Sequence, residues 1–160
     1  MDKNSASKKE QQTRDITYNL HKVVFLMDKL ADKVLAEKLA VSFSQFKVLM
    51  AIDHKTVCQK EIADYWDTTE AAVSRQIEIL VNEKLISRKE DSENRRKNIL
   101  MITKRGGEIL EKGYKVLDDA NAVLYDSLNL DERKILVEGL RKVLNKICKD
   151  KTKDPFISCT

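Results

Sequence analysis

Glycine and proline are scarce in this chain, with four and one among 160 residues. So few turn formers argue against a β-sandwich or a glycine-rich nucleotide-binding sheet and favour long helices. Three cysteines, Cys58, Cys148 and Cys159, are odd in number and widely spaced, with no CxxC. This excludes a disulfide framework and makes a reducing cytoplasm the simpler setting. His21, His54 and the cysteines show no metal-ligand spacing, so neither a metal nor another cofactor is expected. Even the longest apolar clusters, such as Val23 to Met27, are far too short to span a bilayer. No nucleophile elbow, phosphate-binding loop or catalytic-metal pattern appears, so no catalytic residues are assigned and an enzyme is not expected.

What the chain does have is charge. Charged residues make up 35%, yet the net charge is only +4, so the distribution says more than the sum. The length suits one domain with a real core. Residues 1–13 are polar and without periodicity, which predicts a flexible tail. From Arg14, apolar residues from Ile16 to Leu35 recur at three- and four-residue steps and predict a helix to about Leu39. Ser42 with Gln45 makes a capping-box start for a second helix. A short third helix runs from about Gln59 to Trp66, and Thr69 caps a fourth that extends to about Glu83. Lys84 stands where the chain must turn and glycine would be easier. Two β-like runs follow, Leu85 to Lys89 and Asn98 to Ile102. Thr103 caps a fifth helix, and Asn129 with Glu132 opens a sixth; residues 149–160 are expected to fray.

The fold class expected is therefore mainly α with a small β-wing: a winged helix-turn-helix core (42–105) within a single domain (14–148). Long helices at 14–41 and 106–148 flank that core. Their apolar stripes are too long for so small a core to cover, which points to burial against a second copy of the chain, a homodimer.

The stretch from Thr69 to Arg105 carries the functional reading. On the fourth helix, Val73, Ile77, Leu80 and Val81 point inward. The opposite face presents Ala71, Ser74, Arg75 and Glu78, with Thr69 and Glu70 at its start. Small residues beside a hydroxyl and a guanidinium suit close approach to base edges in a major groove. A solvated, purely structural charged face is the competing reading. The following hairpin favours the DNA reading over a solvated charged surface, because Asn94 to Arg105 contains Arg95, Arg96, Lys97, Lys104 and Arg105 and no acid. Such a tip suits the enhanced negative potential of a narrow minor groove.

The run ILVNEKLISRKEDSENRRKNILMITKRG resembles the MarR family of bacterial transcription regulators. Leu80, Leu85, Arg88, Arg96, Leu100, Ile102, Thr103 and Gly106 match its pattern in order and spacing. QKEIADYW (Gln59 to Trp66) and NLDERKIL (Asn129 to Leu136) extend the likeness over nearly the whole chain. Asn94 replaces the aspartate that braces the wing arginine in the family, and Lys84 replaces its common turn glycine. The resemblance implies a homodimer whose two recognition helices enter successive major grooves of a pseudo-palindromic double-stranded operator. It implies Arg88 as a DNA-backbone contact and Asn94, Arg95, Arg96 and Lys97 as the wing contacts. Family members commonly respond to small aromatic ligands or to oxidants. A ligand cleft between the flanking helices and the DNA-reading lobe would draw on Tyr18, His21, Phe25, Phe46 and Met50, although aromatic residues at helical spacing also serve as core. Peroxide sensors of the family place a cysteine in the first helix, where this chain has none. Cys58, at the start of the third helix, is the candidate redox residue, with an inert structural thiol as the alternative.

Overall fold

The computed structural model describes residues 3–54, 58–66, 68–90 and 98–149. Its elements run α1 (Lys3–Leu39), α2 (Phe43–His54), α3 (Gln59–Tyr65), α4 (Glu70–Asn82), β1 (Ile86–Glu90), β2 (Asn98–Ile102), α5 (Lys104–Tyr125) and α6 (Leu130–Lys149). The order is the one the sequence predicts, with one correction. Residues 3–13 are not a tail but the first turns of α1. They contain no glycine or proline, and lysine, glutamate and glutamine lose little freedom in a helix. Lengthening an existing helix also needs no new nucleus. The threonines fit because Thr13 and Thr17 hydroxyls donate to the carbonyls four residues back, at 3.0 and 2.9 Å.

Helix starts follow local chemistry. The Ser42 hydroxyl accepts from the Gln45 N–H at 3.1 Å, and the Gln45 side chain returns the favour to the Ser42 N–H at 2.7 Å. Asn129 and Glu132 form the same reciprocal pair before α6. The Thr69 and Thr103 hydroxyls accept from the N–H groups of Ala72 and Gly106. Each satisfies a donor that the first helical turn would otherwise leave unpaired.

The end of α4 is equally defined. The Lys84 N–H bonds to the Val81 carbonyl at 3.0 Å and the Leu85 N–H to the Leu80 carbonyl at 2.9 Å, the two bonds of a Schellman motif. Buried Leu80 and Leu85 supply its apolar contact. The motif demands a left-handed residue, and Lys84 takes that place with φ 58°. Lys84→Gly removes the Cβ that makes this conformation costly, against a smaller loss from a freer unfolded chain. We expect a gain of about 1 kcal/mol, read by urea denaturation; a loss of stability would show that the Lys84 side chain contributes more than its backbone costs.

The core lies under the central lobe. Leu35 from α1, Phe46 and Leu49 from α2, Ile62 from α3, Ile77 and Leu80 from α4, and Ile86 from β1 are all at most 2% exposed. Phe46 meets Tyr114 of α5 edge-on, ring centroids 5.6 Å apart. Burial first, and the Asp53 carboxylate second, push the Tyr114 hydroxyl above its ordinary range, which keeps the phenol neutral against this core. β1 and β2 pair antiparallel from Ile86↔Ile102 to Glu90↔Asn98. Ile86 and Leu100 point from this ribbon into the core.

Outside the lobe, apolar residues lie open. Ile16, Tyr18, Val23, Val24, Phe25 and Leu26 on α1 are each at least half exposed, and α6 presents Ile135, Val137, Leu144 and Ile147 in the same way. Among the described residues no helix is long and apolar enough to cross a membrane.

Candidate nucleic-acid interface

The face of α4 that turns away from the core is the one the periodicity predicts. Val73, Ile77 and Leu80 are buried, while Glu70, Ala71, Arg75 and Glu78 are exposed; Ser74 and Val81 sit half-buried at the margin. Thr69 is exposed but occupied as the cap, its hydroxyl oxygen 3.1 Å from the Ala72 nitrogen. Its oxygen is therefore partly committed to the helix. Gln59 fixes α3 against the start of α4 by donating from its side chain to the Glu70 carbonyl at 2.9 Å. The Thr68 N–H adds a second tie, to the Ala63 carbonyl at 3.0 Å. The angle between α3 and α4 is thus set by hydrogen bonds as well as by Ile62 and Val73. Among the described residues no carboxylate pairs with the Arg75 guanidinium, so its donors stand free on the exposed face.

Arg88 lies on β1 opposite the buried Leu100, with its own side chain exposed. The root of the ribbon is tightly held. The Thr103 hydroxyl donates to the Lys84 carbonyl at 2.8 Å, with the Leu85 carbonyl also in reach, and the Thr103 N–H bonds to the Leu85 carbonyl at 3.0 Å. Asn94, Arg95, Arg96 and Lys97 lie outside the described residues.

The five residues named for a ligand cleft differ in their burial within one protomer. Phe46 is fully buried core and Met50 packs partly buried against that core, whereas Tyr18, His21 and Phe25 are exposed on α1. Phe46 is therefore spent on packing with Gly113 and Tyr114 rather than on lining a pocket. Cys58 is half-buried at the N-cap of α3, where its N–H donates to the Glu61 carboxylate at 2.9 Å.

A cleft does exist in the lobe, at a place the sequence reading misses. A hollow of about 210 Å³ lies between α2, α3 and α4, floored by Val48, Ile62 and Val73. Its rim carries Ser44, Lys47, Thr68 and Gln76, and Trp66 forms a wall. The Lys47 ammonium stands 5.0 Å from the centre of the Trp66 ring and 5.1 Å from that of Phe43. The Trp66 indole Nε1 is buried without a hydrogen-bond partner among the described residues. The only trace of this site in the sequence is Lys47 on the polar side of the second helix.

These elements define a class, the winged helix-turn-helix: α3 and α4 hydrogen-bonded at a fixed angle, an outward polar face on α4, and a two-stranded ribbon directly after it. A sequence model of the MarR family matches residues 41–97. No curated protein sequence matches the chain. Among solved structures, a cysteine-to-serine mutant of MarR from E. coli is 25% identical with a TM-score of 0.74, over 80% of this chain and 95% of that one. The transcriptional regulator BldR from Sulfolobus solfataricus is 24% identical with a TM-score of 0.73, over 86% and 98%. The E. coli mutant complexed with operator DNA is 24% identical with a TM-score of 0.64, over 79% and 94%. The DNA-reading lobe is thus similar in sequence to the MarR family, and the fold over most of the chain is like that of these solved structures.

Proposed function

We propose that this protein is a DNA-binding transcription regulator, a dimeric cytoplasmic repressor of a pseudo-palindromic operator. The observation that carries the reading is α4 itself. It is a capped helix with its apolar side buried and with Arg75, unpaired among the described residues, beside small residues on its exposed side. Such a face fits a major groove, where Arg75 can make a bidentate contact to guanine and Ser74 a weaker one. The acid-free run from Asn94 to Arg105, which contains the wing residues Asn94, Arg95, Arg96 and Lys97, supplies cations for the neighbouring backbone and minor groove. Arg88 adds a backbone contact nearer the root.

Dimerisation follows from the exposed apolar stripes of α1 and α6, which a second copy would cover. Two α4 helices would then enter successive major grooves with half-site centres about 10 base pairs apart. The testing experiment is binding to duplex DNA from upstream of its own gene across a salt series. Steep salt dependence supports the reading, and no binding even at low salt would leave the winged helix as a protein-interaction scaffold.

Two substitutions separate the parts. Arg75→Ala is expected to cost about 1–3 kcal/mol on the preferred site and to relax sequence preference. Arg96→Ala weakens binding to all duplexes alike and lowers the slope of log affinity against log salt by about 1. Competition between preferred and scrambled duplexes distinguishes them; identical behaviour of the two variants would contradict the division of labour. Release by a small aromatic ligand or an oxidant completes the reading, and a complex that neither loosens would instead be a constitutive binder.

A further inference from the structure

A helix that enters a major groove brings the phosphates bordering that groove against whatever stands beside it. Beside α4, past Ala72 and Gln76, lies the cleft between α2, α3 and α4. We propose that this cleft seats a backbone phosphate of the duplex, with Lys47 as its cationic anchor. The inference rests on the reading of the protein as a duplex-DNA binder and extends that reading to a surface outside α4 and the ribbon.

The chemistry of the rim is one-sided. Lys47 supplies an ammonium, Ser44 and Thr68 hydroxyls, and Gln76 an amide, while no carboxylate lines the cleft among the described residues. A phosphodiester carries one negative charge and only acceptors, the complement of that set. Lys47 has no ion-pair partner among the described residues; its ammonium rests over the Phe43 and Trp66 rings. Such cation–π contacts are weaker than a charge-assisted bond to phosphate and yield to it readily. An anchor of this sort touches backbone rather than bases, so it holds register without reading sequence.

The test uses the full-length protein, a labelled duplex from upstream of its gene and a scrambled duplex of equal length. Trp66 is the single tryptophan, so its emission reports on the cleft alone. We expect Lys47→Gln to weaken binding to both duplexes by roughly tenfold and to lower the salt slope by about 1, unlike Arg75→Ala. The Trp66 emission of the parent protein is expected to change on uptake of either duplex. If the parent binds steeply and Lys47→Gln keeps its affinity and slope, the seat is overturned while DNA binding stands. If Lys47→Gln binds duplex like the parent but loses a Trp66 response to inorganic phosphate, the cleft belongs to a free anion and the backbone assignment falls. If the parent protein binds no duplex at low salt, the underlying reading fails and the seat with it.

Discussion

Gly113→Ala lowers the unfolding midpoint by about 4–8 °C, although alanine is the better helix former. In the middle of α5 the exchange alone would gain about 1 kcal/mol. The new Cβ, however, would stand 2.1 Å from Cε2 and 2.7 Å from Cζ of Phe46. That ring is fully buried and braced edge-on by Tyr114, so it has nowhere to withdraw. Overpacking of this kind in a dense core costs up to about 3 kcal/mol, and the net loss of about 2 kcal/mol gives the shift in midpoint for a domain of this size. Thermal unfolding followed by circular dichroism measures it. A second variant makes the cause visible: Phe46→Leu in the Gly113→Ala background recovers part of the loss, because the two residues share one space. An unchanged or raised midpoint for Gly113→Ala would show that α5 can move off the core without cost.

Gly106→Ala carries the second large effect, and here the obstacle is backbone. A Cβ would meet the Leu85 carbonyl oxygen at 2.0 Å and its carbon at 2.9 Å. The carbonyl cannot turn aside, since it accepts the Thr103 N–H at 3.0 Å at the root of the ribbon. Either α5 lifts or the ribbon shifts, at about 3 kcal/mol and about 6–12 °C in midpoint, with weaker duplex binding because the wing is re-aimed. Gly107 is the built-in control. Nothing lies within 4 Å of its added Cβ, so Gly107→Ala is expected to raise stability by about 0.5–1 kcal/mol. Opposite signs at adjacent residues of one helix are the outcome to look for. Equal effects would point to helix propensity alone.

These glycines show where the sequence stops speaking. All three read as weak points in α5, and only the packed structure separates Gly106 and Gly113, which permit close approach, from Gly107, which does not. What is legible is what acts over three or four residues: Ser42 with Gln45, Asn129 with Glu132, the caps at Thr69 and Thr103, and the outward turn of Ala71, Arg75 and Glu78. The left-handed turn at Lys84 is legible too, because the chain must reverse there. The start of α1 is not, since residues 3–13 carry no apolar period and join a helix by propensity alone. Nor is the cleft, because Lys47, Trp66 and Gln76 belong to different elements that only packing brings together. Where Tyr18, His21, Phe25, Phe46 and Met50 lie is not legible either, because helical spacing does not say which face each helix buries: Phe46 is core, while Tyr18, His21 and Phe25 are exposed on α1.

The length of α1 has a mechanical consequence. Its 37 residues make a rod of about 55 Å at 1.5 Å per residue. One end is clamped: Ala31 and Leu35 are buried in the lobe, and the Asp32 carboxylate accepts the Phe43 N–H at 2.8 Å, tying the rod to the first turn of α2. The stretch from Ile16 to Leu26 projects beyond that clamp with its apolar residues bare. A rod gripped at one end is a lever. A small rotation at the clamp therefore becomes a large displacement of the Ile16–Leu26 stretch at the far end.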